Sequence, residues 1–274
     1  MPTLQCNDTE LYYEDRGEGA PVVFLHGMMA GSRFFTAQMD AFEDAYRPIA
    51  LDFRGHGRSA KTETGHLLPQ YARDLQAFLA ALSLEDVVLV GHSMGASVAW
   101  EYVEQFGTER LCGLVVVDQP AAEFAWPDNE DADVDLERMW QLMELVQTDA
   151  VRFNELAVEV VFADAASVSP ETRRLVFDEF SRCPPPIKSA IVFDETLRDY
   201  RDVLPGLDLP TLVCAGADES FVPVAPVEHV ADLVPDAEFV VFEESGHCPM
   251  LEEPDRFDAE VERFVESLSP SVRT

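Results

Sequence analysis

The sequence predicts an α/β fold, a mostly parallel sheet with helices on both faces. Two observations carry the prediction. Short valine-rich apolar runs of strand length recur at residues 22–25, 49–51, 87–90, 114–117, 211–214 and 239–242, the continuous pattern of strands buried on both faces. Between them, residues 34–45, 67–83 and 93–106 carry apolar side chains at helical spacing, and strands that alternate with helices build a parallel sheet.

Taken in order, residues 3–5 and 10–14 around Asn7-Asp8 read as a hairpin leading into the sheet. The VVFL run at 22–25 ends in His26-Gly27-Met28, and the IAL run at 49–51 ends in a glycine-rich turn from Asp52 to Ser59. The VVLV run at 87–90 passes directly into Gly91-His92-Ser93-Met94-Gly95. A tight strand-to-helix turn leaves no room for side chains beside its central residue, so glycines on both sides of Ser93 read as a nucleophile elbow. The pentapeptide alone is weak evidence, and its setting decides. Helix follows at once, with Val98, Ala99, Tyr102, Val103 and Phe106 at helical spacing and Gly107 where a left-handed cap would stand.

After the LVVV run the alternation stops between residues 119 and 206. What replaces it is mainly helical: Leu136, Met139, Trp140, Met143, Val146 and Val151 recur among acids over 134–163, and Pro184-Pro185-Pro186 separates a second helical stretch from a third. This divides the chain into a core, residues 1–118 and 207–274, and a helical insertion, 119–206, placed as a lid would be. Strands TLVC and FVVF resume the core, and Pro254 opens a last helix with Phe257, Val261, Phe264, Val265 and Leu268 on one face.

With 274 residues, 47% of them hydrophobic, the chain can bury one large core with an inserted lid. Neither a leader-like start nor a membrane-length apolar run is seen, so a soluble, cytoplasmic protein is expected, a monomer or small homo-oligomer. Cys6, Cys112, Cys183, Cys214 and Cys248 are odd in number and scattered, which suggests neither a disulfide framework nor a zinc site. The charge is −33, from 52 acidic and 19 basic residues, and only Lys61 and Lys188 are lysines. Nucleic acid and anionic membrane are disfavoured as partners. Acids spread along the whole chain form a solvated, self-repelling surface that needs screening, so adaptation to high salt is expected.

Four motifs, read together, resemble the α/β-hydrolase fold family over about residues 10–268. They are His26-Gly27-Met28, similar to the family's oxyanion loop; Asp52-Phe53-Arg54-Gly55-His56-Gly57-Arg58-Ser59, similar to its D-x-R-G-x-G-x-S turn; the elbow; and the pair Gly216-Ala217-Asp218 and Ser245-Gly246-His247. The resemblance implies a mostly parallel eight-stranded sheet flanked by helices, with an inserted helical lid. It also implies the chain order nucleophile, acid, histidine.

An acyl-transfer site needs a nucleophile, a base, a group that orients the base, and donors for the developing oxyanion. Ser93 supplies the first, and His247, in the loop after the FVVF strand, the second. Asp218, after the TLVCAG strand, is the expected acid. Asp118 also ends a strand, where some members of the family place the acid, and Glu219 adjoins Asp218; chain order favours Asp218, and Asp118 reads as the cap of the loop that opens the insertion. Backbone N–H groups of Met28 and Met94 would form the oxyanion hole. His92 is expected to pack beside the elbow, His26 to shape the oxyanion turn, and Arg33 to be solvated. No phosphate loop or metal-ligand cluster appears, so no cofactor and no metal are inferred.

Serine at the elbow argues against relatives that use aspartate there. The expected function is hydrolysis of a carboxylic ester, a small-molecule substrate with a small or medium apolar acyl group, through an acyl-enzyme. Met28, Met29, Phe34, Met94, Trp126, Trp140 and Met143 are the apolar candidates for its pocket. The G-x-S-M-G form also resembles cofactor-free haloperoxidases, in which peroxide replaces water, and carbon-carbon bond hydrolases. A binding protein on the same fold is the reading from another class.

Overall fold

The computed structural model describes residues 2–129, 132, 134–217 and 221–268. Eight strands form one sheet in the order β1-β2-β4-β3-β5-β6-β7-β8. The hairpin β1 (Thr3–Cys6) and β2 (Thr9–Asp15) is antiparallel and joins β4 antiparallel; every later pairing is parallel. Asn7 turns the hairpin with φ 52°, a left-handed conformation that asparagine tolerates. The remaining strands are β3 (Pro21–Leu25), β4 (Arg47–Leu51), β5 (Val87–His92), β6 (Leu111–Val117), β7 (Thr211–Gly216) and β8 (Ala237–Phe242). All of β5 and β7 is buried, which is why their sequences are unbroken apolar runs and not alternating ones.

Helix α1 (Thr36–Phe42) leads from β3 to β4, α2 (Leu68–Ala81) from β4 to β5, and α3 (Met94–Phe106) from β5 to β6. The chain steps from β3 to β4 in one direction along the sheet and from β4 past β3 to β5 in the other. Right-handed crossovers then place α1 on one face and α2 and α3 on the other. The crevice at the carboxyl ends of β3 and β5 is therefore a topological switch point, the usual ligand position of such sheets. The elbow and the His26 loop both open there.

Among the described residues four helices replace the alternation between β6 and β7: α4 (Leu136–Thr148), α5 (Ala150–Val160), α6 (Pro170–Arg182) and α7 (Pro185–Thr196). The stretch expected as one helix over 134–163 is split at Asp149, whose side chain accepts the Arg152 N–H and caps α5. The three consecutive prolines separate α6 from α7, and Pro185 takes the first helical position, where no N–H is needed. Two helices went unread in the sequence, α8 (Val224–Leu233) and the single turn α9 (Pro249–Glu252). The last helix, α10 (Pro254–Ser267), buries Phe257, Val261, Phe264 and Val265 as its spacing predicts. Among the described residues no helix is long and apolar enough to cross a membrane.

Candidate active site

Ser93 sits between β5 and α3 with φ 50° and ψ −125°, a backbone state that non-glycine residues rarely adopt. Close approach explains its glycine neighbours. A Cβ on Gly91 would come within 2.6 Å of the Ala96 backbone, and one on Gly95 within 2.1 Å of the Leu25 carbonyl oxygen. The elbow is held to the next strand by the Ser93 N–H, which donates to the Val117 carbonyl at 2.9 Å.

The loop after β3 faces it. The Phe53 N–H donates to His26 Nε2 at 3.1 Å, so the ring carries its proton on Nδ1 and donates to the Gly27 carbonyl at 2.8 Å. Burial keeps the His26 pKa below the usual histidine range, which preserves that neutral tautomer. Asp52 fastens the same region: its carboxylate accepts the Ser32 N–H at 2.5 Å and the Arg58 N–H at 2.7 Å. Arg54 pairs with buried Asp74 on α2. The glycine-rich turn is thus scaffold for the loop after β3. Among the described residues the N–H groups of Met28 and Met94 meet no acceptor, as donors reserved for a ligand oxygen would.

His247 stands in the loop between β8 and α9 and is 4% exposed. Its Nδ1 lies 2.7 Å from Oδ2 of Asp118, which is fully buried at the end of β6. With the proton on Nδ1, Nε2 is the basic nitrogen. The other oxygen of Asp118 accepts the Gly216 N–H at 3.0 Å, and φ at Asp118 is 52°. The acid expected at Asp218 lies outside the described residues, as does Glu219. Asp118, read in the sequence as a loop cap, instead touches the histidine.

Two further groups set the position of His247. Its carbonyl accepts from His92 Nε2 at 2.7 Å, and burial holds the His92 pKa well below the usual range, with His247 adding to the shift. Glu252 accepts the Gly246 N–H at 2.9 Å and, from the insertion, the Ala163 N–H at 2.8 Å. Burial raises the Glu252 carboxyl against those bonds. The sequence reading passed over Glu252; its position five residues after His247, on the turn that ends the histidine loop, is the signal that was available.

Ser93, His247, Met28, Met29 and Phe34 border one cavity of about 400 Å³, and α4 to α7 all contribute to its wall. Four expected pocket residues are absent from that wall, Met94, Trp126, Trp140 and Met143. Trp140 is 66% exposed. On α4 it lies about 160° round the helix from Leu142, and Arg138, Leu142 and Leu145 are the α4 residues that border the cavity. The side chain of Met94 is buried in the core beneath the elbow. Arg33, expected to be solvated, is paired at 2.8 Å with buried Glu179 of α6. Glu123, Glu195 and Thr196 line the cavity without having been foreseen.

A family model described as the alpha/beta hydrolase family matches residues 22–260. A non-heme haloperoxidase of Rhodococcus erythropolis is 30% identical over 97% of this chain and 100% of its own length. Among solved structures, a bromoperoxidase from Bacillus anthracis superposes with a TM-score of 0.92 at 25% identity, covering 97% of this chain and 100% of the other. An esterase from Exiguobacterium antarcticum gives a TM-score of 0.92 at 26% identity, covering 97% and 99%.

Proposed function

The chain belongs to the alpha/beta hydrolase family, and from that premise we infer that it is a serine hydrolase cleaving carboxylic esters with small or medium apolar acyl groups. The observation that carries this reading is the pairing of His247 with buried Asp118 at 2.7 Å in the wall of the cavity that Ser93 also borders. In this reading Ser93 Oγ attacks the acyl carbon while His247 Nε2 takes its proton. Asp118 holds the tautomer and stabilises the imidazolium that forms. The carbonyl oxygen gains its negative charge between the N–H groups of Met28 and Met94, the latter at the start of α3, where the helix dipole favours an anion. The proton on His247 passes to the leaving alcohol, and a water activated by the same nitrogen releases the acid.

The helical insertion serves as the substrate cap, since its four helices supply much of the apolar wall. A panel of p-nitrophenyl acyl esters tests the reading: the wild type should hydrolyse short and medium chains well above a Ser93→Ala control. Equal rates would sink it and leave a binding protein on the same fold. A second reading is favoured by the similarity to proteins named as haloperoxidase and bromoperoxidase. The same acyl-enzyme attacked by hydrogen peroxide yields a peracid, so peracid formation from a carboxylic acid and peroxide, measured beside ester cleavage, separates the two.

A further inference from the structure

Glu195, in the last turn of α7, borders the cavity yet is only 3% exposed. Neither of its carboxyl oxygens meets a hydrogen-bond partner among the described residues. Such groups are nearly always paired, because an unsatisfied buried polar group is costly. It sits on the buried side of α7 with Ile191, Val192 and Thr196, so its burial is imposed by the helix face and not by local disorder. Desolvation pushes its pKa well above the usual carboxylate range, with Glu123 and Asp194 adding to the rise.

Among the described residues no cation is paired with it: Lys188, buried on the same side of α7, donates to Asn154, and His247 in the cavity wall acts on Glu123, whose pKa it lowers. Glu123, half-buried, borders the same cavity, accepts one bond from Gln119 Nε2 at 2.9 Å, and is itself raised by burial. Asp194 is occupied elsewhere, by the Leu68 N–H at 2.8 Å and by Arg198 at 2.6 Å. The Tyr200 hydroxyl turns to Glu101. Arg138 of α4 also borders the cavity, but it is exposed to solvent. Among the described residues the apolar lining holds these two carboxyls, no lysine and only the exposed arginine, an arrangement suited to a guest that brings a cation.

We propose that Glu195 and Glu123 form a subsite, in the cavity that Ser93 borders, for a protonated amine carried by the substrate. The assignment rests on the hydrolase reading only where it calls that guest an ester. An ammonium group offers three donors and a unit charge to the empty oxygens of Glu195. On binding, the neutral acid gives its proton to solvent and becomes the carboxylate partner of the ammonium, so one proton leaves per amine bound. An alcohol of the same size leaves the acid neutral and releases none.

Calorimetry on the wild-type protein with n-hexylammonium chloride and with n-hexanol decides this without any turnover. The ammonium should bind about tenfold tighter or more, and the preference should vanish in Glu195→Gln. Heats measured in two buffers of different ionisation enthalpy at neutral pH should report release of up to about one proton per ammonium and none with hexanol. Equal affinities, a preference that survives Glu195→Gln, or binding without proton release would each overturn the assignment. Should Glu195→Gln fail to fold, the two-buffer measurement on the wild type decides alone. Absence of ester cleavage with ammonium preference intact would remove the hydrolase reading and leave the amine site standing.

Discussion

Asp118 uses both carboxylate oxygens, one on the Gly216 N–H and one on His247 Nδ1, and it does so fully buried. An amide in its place would keep the shape, lose the charge and confuse the tautomer of the histidine. Asp118→Asn should therefore lower turnover by about 10⁴, the loss seen when the acid of a serine triad is so replaced, with the melting temperature followed as a control for folding. If Asp118→Asn is mild and Asp218→Asn severe, the orienting acid is Asp218. The ambiguity has a physical origin. Both aspartates follow strand sequences, and the order of residues along a chain does not encode which carboxylate meets the ring. Ser93 was legible because its two glycines record a steric fact about the turn, and His247 because Ser-Gly-His follows a strand. Glu195 was not, since the oddity of an acid on an apolar helix face emerges only when the partners it lacks can be enumerated.

Loops, and not strands, set the geometry of the site, and each is fastened by buried polar groups. Glu252 on α9 fixes the histidine loop by accepting backbone N–H groups from Gly246 and Ala163 at 2.9 and 2.8 Å. Glutamine has one acceptor oxygen where Glu252 uses two, so Glu252→Gln leaves one of these donors facing an NH2 group. The expected cost is about 1–3 kcal/mol in a denaturant melt, together with a lower kcat for whichever ester the wild type cleaves best. A variant with unchanged stability and kcat would show that the loop holds itself. The strands were legible from their unbroken valine-rich runs, and α10 from its apolar stripe. Helix α8 escaped notice because its buried set is sparse, Val227 and Val230. Trp140 was misplaced for a related reason: amphipathic spacing identifies a helix but not which of its faces meets the cavity.

Across the whole molecule, an excess of 33 negative charges must be carried by one folded chain. Self-repulsion of that size opposes compaction and is relieved by counterions. The melting temperature should rise steeply as KCl goes from about 0.1 M to about 3 M, over which the screening length falls from about 10 Å to below about 3 Å. A melting temperature indifferent to salt would count against adaptation to high salt. The sheet places the loop after β3 and the elbow at a switch point, and a few buried acids, Asp52 and Asp118 among them, fasten the loops there. The cap is less separate than its place between β6 and β7 implies. Through Glu179 on Arg33 it grips the segment after the oxyanion loop, and through Ala163 on Glu252 it grips the histidine loop. In the proposed hydrolase the wall of the pocket and the histidine loop are mechanically joined, so the insertion is no exchangeable cassette. A foreign cap grafted at residues 119 and 206 would arrive without those two anchors, and new specificity in this scaffold has to be sought by changes within the native helices.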